Sequence, residues 1–386
     1  MTQTLAIFTD AYRGLKARKM FWIVLIISGL VVAAFACLGI TAKGLKFIVW
    51  ELQFGPTTRD VSPDVFYKSL FVGLGIKFWL AWLATILALI STAGLFPAFI
   101  ARGSIDLVVA RPISRWRLFL TQYAAGLLFV TFQIGIFCLA SFMVIGIRGG
   151  AWEPGIFLAI PLVVCFFSYL FSICALLGLL TRSTVASLLL TLLVWFLLFS
   201  LHTSEVGVLA FKFQAENELA RIRWQIDKLD ARPPASQAAS DAQTTGAGQD
   251  PSAGERKRLQ DKYDENAKVA KIMDTVGRVL YGVKTVVPKT SETIGLVERV
   301  LIRTADLPPG KGPSSADRPP DGWERGEGDS PADTRPARSR SNAGAATREL
   351  AHTLRSRSVA WVIGTSLAFE AVILLLGVWV FSRRDF

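Results

Sequence analysis

Six apolar runs limit what this chain can fold into: Phe21–Ile40, Leu70–Ser91, Leu118–Ile147, Ile156–Leu179, Thr184–Leu201 and Val359–Phe381. A helix needs about 20 predominantly apolar residues to cross a hydrocarbon layer about 30 Å thick. Segments such as FWIVLIISGLVVAAFACLGI and WVIGTSLAFEAVILLLGVWVF reach that length without a lysine or arginine inside. The sequence therefore reads as all-α, a polytopic membrane protein with six transmembrane helices. Helices 1–5 fall in residues 20–202, and helix 6 with a short tail in 359–386.

The formal charge of +12 invites a nucleic-acid reading, but its placement argues against one. Arg13, Lys16, Arg18 and Lys19 precede the first run; Arg102, Arg111, Arg115 and Arg117 lie between the second and third. Arg182 separates the fourth and fifth, and Arg383 and Arg384 follow the last. Six crossings put all four clusters on one face, and the positive-inside rule makes that face cytoplasmic, with both termini. Lys43, Lys46, Lys68, Arg148, Arg355 and Arg357 run against this pattern on the other face. All four cysteines lie inside apolar runs and read as small buried hydrophobes, with no CxxC or Cys/His metal spacing. The polar stretch before the first run is too long for a cleaved signal.

Three polar segments carry further information. Residues 1–19 place Leu5, Ile7, Phe8, Tyr12 and Leu15 near helical spacing against a basic face, the pattern of an amphipathic interfacial helix; a plain polar tail is the alternative. The connection 92–117 predicts a short helix over Ser104–Ala110, stopped by Pro112, with Ser114 capping the next helix. Residues 203–358 fall on the extracytoplasmic side as a helical, partly disordered region. Two charged helical segments there flank RPPASQAASDAQTTGAGQDPSAG, and a second stretch of low order covers about Pro308–Ala346. Apolar residues on both sides of Pro288 predict a broken helix that must bury a face, on the membrane, on a partner or within the outer region, with Thr290 or Ser291 as cap.

No GxxxxGK[ST] loop, GxSxG elbow or HExxH helix occurs, so no catalytic residue and no metal ligand is assigned. Glu370 is the acid deepest inside a run. A membrane carboxyl is costly enough that it faces a cavity or a partner. It reads either as a substrate or gating contact or as a structural interhelical contact, with Gln133 as a possible hydrogen-bond partner. Lys77 reads as snorkelling to the interface.

FTDAYRGLKARKMFWIVLIISGLVV, AGLFPAFIARGSIDLVVARPISRWRLFLTQYAAGLLFV and the closing FSRRDF resemble the membrane subunit of ABC-2 type ABC transporters. The most specific part is GSIDLVVARPISRWRLFL, Gly103–Leu120. The resemblance covers about 5–200 and 355–386. It implies a permease subunit, an exporter in the inner (cytoplasmic) membrane, working as a homodimer or as a heterodimer with a related permease. ATP would bind and be hydrolysed on a separate cytoplasmic ABC ATPase subunit, with no cofactor bound directly and membrane lipid as the other partner. Gly103, Ile105, Asp106, Leu107, Arg111 and Pro112 would form the ATPase-coupling contact, with Arg115 and Arg117 anchoring the following helix. The size of 203–358 leaves an alternative, a non-transporting scaffold whose outer helical domain recruits a partner.

Overall fold

A computed structural model describes residues 19–41, 44–47, 50–52, 62–97, 114–150, 152–230, 251–301, 353 and 356–383. The amphipathic segment 1–18, the short helix at 104–110 and the stretches 231–250 and 302–352 lie outside the described residues. The helices are α1 (Lys19–Cys37), α2 (Pro63–Leu70, Phe71–Ala84 and Thr85–Ala93 in continuous succession), α3 (Arg115–Gly149), α4 (Ala159–Thr181), α5 (Thr184–Asp230), α6 (Pro251–Val286), α7 (Thr290–Leu301) and α8 (Val359–Arg383). A 3₁₀ turn, Pro154–Leu158, leads into α4, and Phe71–Ala84 is wound as a π-helix.

Five of these helices are long and apolar enough to cross a membrane: the α2 region Val65–Pro97, α3, Pro154–Thr181, α5 and α8. The chain has the architecture of a multi-pass helical membrane protein. Helices suit that setting because every backbone N–H and C=O is satisfied within the segment. The first run gives a shorter apolar helix, Phe21–Cys37. The run's last residues leave the helix: β1 (Leu38–Thr41), β2 (Gly44–Phe47) and β3 (Trp50–Leu52) form a small antiparallel sheet in the order β1-β2-β3. Apolar content alone does not separate helix from strand here. The turn back at Gly44, φ 135°, uses a conformation open to glycine.

The chain divides into two compact units. The first comprises Met1–Ser200, Thr285–Gly310 and Ser358–Phe386. At its centre is α4, packed by α3, α8, α7 and α2. The apolar window of the span that includes α4 is 61% buried, against 17% for α5 and for α8, so those two present most of their surface outward. Gly126 in α3 permits the tightest approach to α4: a Cβ there would lie 2.7 Å from the Phe171 ring.

Within this unit the helix ends sort into two groups. At one end Pro97 lies against Gly178, Phe96 meets Phe119 (5.0 Å between centroids), Phe119 meets Phe381 (6.1 Å), and Arg115 Nη1 donates to the Ser382 carbonyl (3.3 Å). At the other, Arg148 donates to the Ala36 carbonyl, Tyr67 Oη to the Leu38 carbonyl (2.7 Å), and Lys68 pairs with Glu153 (3.1 Å).

Helix α7 resolves the question raised by the apolar residues around Pro288. Ile294, Leu296, Val297 and Leu301 are buried, and α7 packs on α4, α2 and α8 in the first unit. Lys289 precedes the first turn, its carbonyl accepting the Thr293 N–H (2.9 Å) and hydroxyl (2.8 Å), so the cap position falls one residue before the expected Thr290. Ser114 does sit at the start of α3 in extended backbone, but its carbonyl rather than its hydroxyl receives the first turn's N–H groups.

The second unit comprises Leu201–Lys284 and Lys311–Arg357. Where the sequence suggested a boundary after Leu201, α5 continues unbroken to Asp230. Its later half runs antiparallel to α6, through Glu205 with Lys284, Val208 beside Gly277, Lys212 with Asp274 (2.7 Å) and Asp230 with Arg256 (3.0 Å). The expected helical pair is present.

Candidate functional site

Glu370 lies in α8, buried at 7% exposure, one turn beyond the fully buried Ser366. Its partners come from two other helices. Tyr123 Oη of α3 is 2.8 Å from Oε1, and Ser168 Oγ of α4 is 2.7 Å from Oε2. Each hydroxyl also approaches a carbonyl: Tyr123 that of Ser168 (2.9 Å), Ser168 that of Cys165 (2.8 Å). Both hydroxyls donate to the carboxyl, one to each of its oxygens. Among the described residues no ion pair reaches Glu370. The buried carboxyl thus ties α8 to α3 and α4 at one point.

Gln133 is not part of it. The expected Gln133–Glu370 contact is replaced by Tyr123 and Ser168, because Gln133 projects elsewhere. It is 7% exposed, its Nε2 has no hydrogen-bond partner among the described residues, and it lines a small cavity with Ser28, Thr85 and Ala88. The cavity has about 20 Å³ of space for water centres, room for a single water.

Polar groups continue from Glu370 along the seam of α4 and α8. Tyr169, fully buried, places its hydroxyl 2.9 Å from Cys165 Sγ and within hydrogen-bonding reach of Thr293 and Ser366. Ser366 Oγ accepts the backbone N–H of Lys289 (2.9 Å). The buried Lys289 ammonium bonds Thr365 Oγ1 and sits 4.2 Å from the Trp361 ring centre. Sequence reading missed this seam. Its signal was present in the i, i+3, i+4 spacing of Cys165, Ser168, Tyr169 and Ser172 within an otherwise apolar run.

Of the residues expected at the coupling contact, Gly103, Ile105, Asp106, Leu107, Arg111 and Pro112 lie outside the described residues. Arg115 reaches the end of α8, and the Arg117 guanidinium lies 5.3 Å from the Trp116 ring centre. Several basic residues that ran against the charge pattern are engaged locally: Lys68 by Glu153, Arg148 by the Ala36 carbonyl, Arg357 by Glu205. Lys77 pairs with Glu298 of α7 (2.6 Å) rather than simply reaching for the interface.

The second unit holds a buried ion cluster. Glu205, its side chain 2% exposed, accepts from Lys284 and Arg357, whose side chains are 3% and 11% exposed. Lys284 also contacts His202 Nδ1 (2.9 Å), which suits a ring protonated on Nε2. Burial alone would raise the Glu205 pKa, but hydrogen bonds and charge from Arg357 and Lys284 hold it below the usual carboxylate value. Lys212 and, less strongly, Arg278 lower the exposed Asp274 in the same way.

No protein-family model, no curated protein and no solved structure matches the chain.

Proposed function

We propose that this chain is the membrane-spanning permease subunit of an ABC-2 type ABC transporter, an exporter. It would cross the inner membrane six times, with the N-terminal amphipathic segment at the interface and both termini cytoplasmic. The reading rests on GSIDLVVARPISRWRLFL, which follows α2 and runs into the start of α3. One observation carries it further: the ends flanking that segment, Pro97 and Arg115, lie at the same end of the bundle as Gly178 and Ser382. Arg115, Arg117, Arg182 and Arg383 stand at that end, which supports reading it as the cytoplasmic docking face.

On this reading a separate ABC ATPase hydrolyses ATP and pushes on Gly103–Arg117, with Ile105, Asp106, Leu107 and Arg111 at the contact. Arg115, bonded to the end of α8, passes the push to the helix that carries Glu370. Two permease chains complete the pathway. The non-transporting scaffold draws its support from the long α5–α6 pair.

Co-purification decides between them. The intact chain is expected to bring down an ATPase subunit. Asp106→Lys with Arg111→Glu is expected to abolish that association while leaving membrane insertion intact. An ATPase that binds equally well to the charge-reversed chain removes the coupling assignment.

A further inference from the structure

The face of α6 turned away from α5 carries Val269, Ile272, Val276, Val279, Val283 and Val286, all β-branched and 39–71% exposed. Their steps of 3, 4, 3, 4 and 3 residues are those of a coiled-coil seam. Met273, Gly277, Leu280 and Lys284 turn toward α5 and are partly or wholly buried, so the stripe is a separate face roughly a third of a turn round the helix.

We infer that this stripe is a self-association surface, pairing α6 of one copy with α6 of a second copy, parallel and in register.

Lipid does not account for it. The stripe spans about 26 Å of helix, and its far part lies alongside the stretch of α5 that carries Lys212 and Glu216. The two long polar segments of the chain that belong to the same side as α6 do not match it. Between Leu307 and Leu350 the only large apolar residue is Trp323, and 231–250 contains none. A second copy supplies an identical stripe without repulsion. Of the positions that flank the stripe away from α5, Lys268, Thr275 and Gly282, only Lys268 is charged, so a parallel pair brings no row of like charges together. The exposed area amounts to about 500 Å² per copy, and about 1,000 Å² per pair meets the lower bound for a specific interface. A parallel, in-register pair brings each seam position against its own copy, so symmetric cross-links at both Val276 and Val279 report that sense. The inference rests on the reading of the chain as membrane-inserted, not on the identity of its ATPase.

The test is cysteine cross-linking of the full chain in native membranes, one substitution at a time, with the unaltered chain as control for the four native cysteines. Val276→Cys and Val279→Cys are expected to give symmetric disulfide dimers under mild oxidation, and Arg278→Cys, off the seam, to give at least about tenfold less. Val276→Asp with Val279→Asp, in a chain that still inserts, is expected to lower the dimer fraction at least about tenfold. The inference is overturned by equal cross-linking at Arg278→Cys, by absence of dimers at both seam positions, or by capture of a different protein there. Retention of the ATPase by the aspartate variant separates this outcome from failure of the transporter reading.

Discussion

The Glu205 cluster offers the sharpest energetic test, because one carboxylate holds two buried cations. Glu205→Ala removes the carboxylate that accepts from both Lys284 and Arg357, whose side chains are 3% and 11% exposed. Removing one partner of a buried ion pair costs about 3–5 kcal/mol. That corresponds to roughly 10²- to 4 × 10³-fold more frequent opening of the α5–α6 pair. Hydrogen exchange on the full chain in lipid nanodiscs reads this directly at the amides of 201–212 and 274–284. Lys284→Met added to Glu205→Ala is expected to recover part of the loss, since one of the two cations that lost this carboxylate is then gone. The pH response has a defined sign. The folded-state pKa of Glu205 lies below its ordinary value of 4.5, so the stabilisation is fully present above that value. It is lost as pH falls through the lowered folded pKa. Glu205→Ala should lack this acid limb. Less than a fivefold change in exchange would show that water already reaches the three charges, and the reasoning from burial would be wrong.

Glu370→Ala should lose about 2–3 kcal/mol through a cavity and lost hydrogen bonds, and Glu370→Gln, which keeps the shape and one acceptor oxygen, should lose less. Equal losses in a melting assay would show that the side chain's polar contacts do not hold the three helices. Gly126→Ala should destabilise by about 1–3 kcal/mol by driving a methyl into the Phe171 ring, which stacks on Tyr123 at 5.0 Å. Wild-type melting behaviour would refute this contact. Gln133→Met should be neutral or stabilising by up to about 1 kcal/mol, as it removes a buried amide without a partner among the described residues. A large loss would mean that a bound water satisfies that amide.

The apolar runs foretold the helices well, because a residue's need to leave water is local and scarcely depends on fold. Val359–Phe381 became α8 within two residues of the expected end. The first run shows where the signal fails: Leu38–Ile40 is as apolar as the helix before it, and only pairing with Gly44–Phe47 makes it a strand. The lone carboxyl was visible in sequence, but its partners were not. Gln133, near the middle of the third run, was the expected partner, whereas the actual donors are Tyr123 and Ser168. Common, weakly polar residues gain importance only when helix rotation aims them at one point.

By itself the sequence determined that this chain forms long apolar helices, that its basic residues flank particular apolar runs, and that two charged helical segments follow the fifth run. Those are properties of short windows, set by composition and by period. Tertiary packing alone decided that α4 is the centre and that α7 returns to the helical core. It also decided that Glu370 rests on Tyr123 and Ser168, and that Glu205 draws Lys284 and Arg357 together from 79 and 152 residues away. Such contacts depend on the rotation and stagger of each helix against its neighbours, which no window of sequence contains.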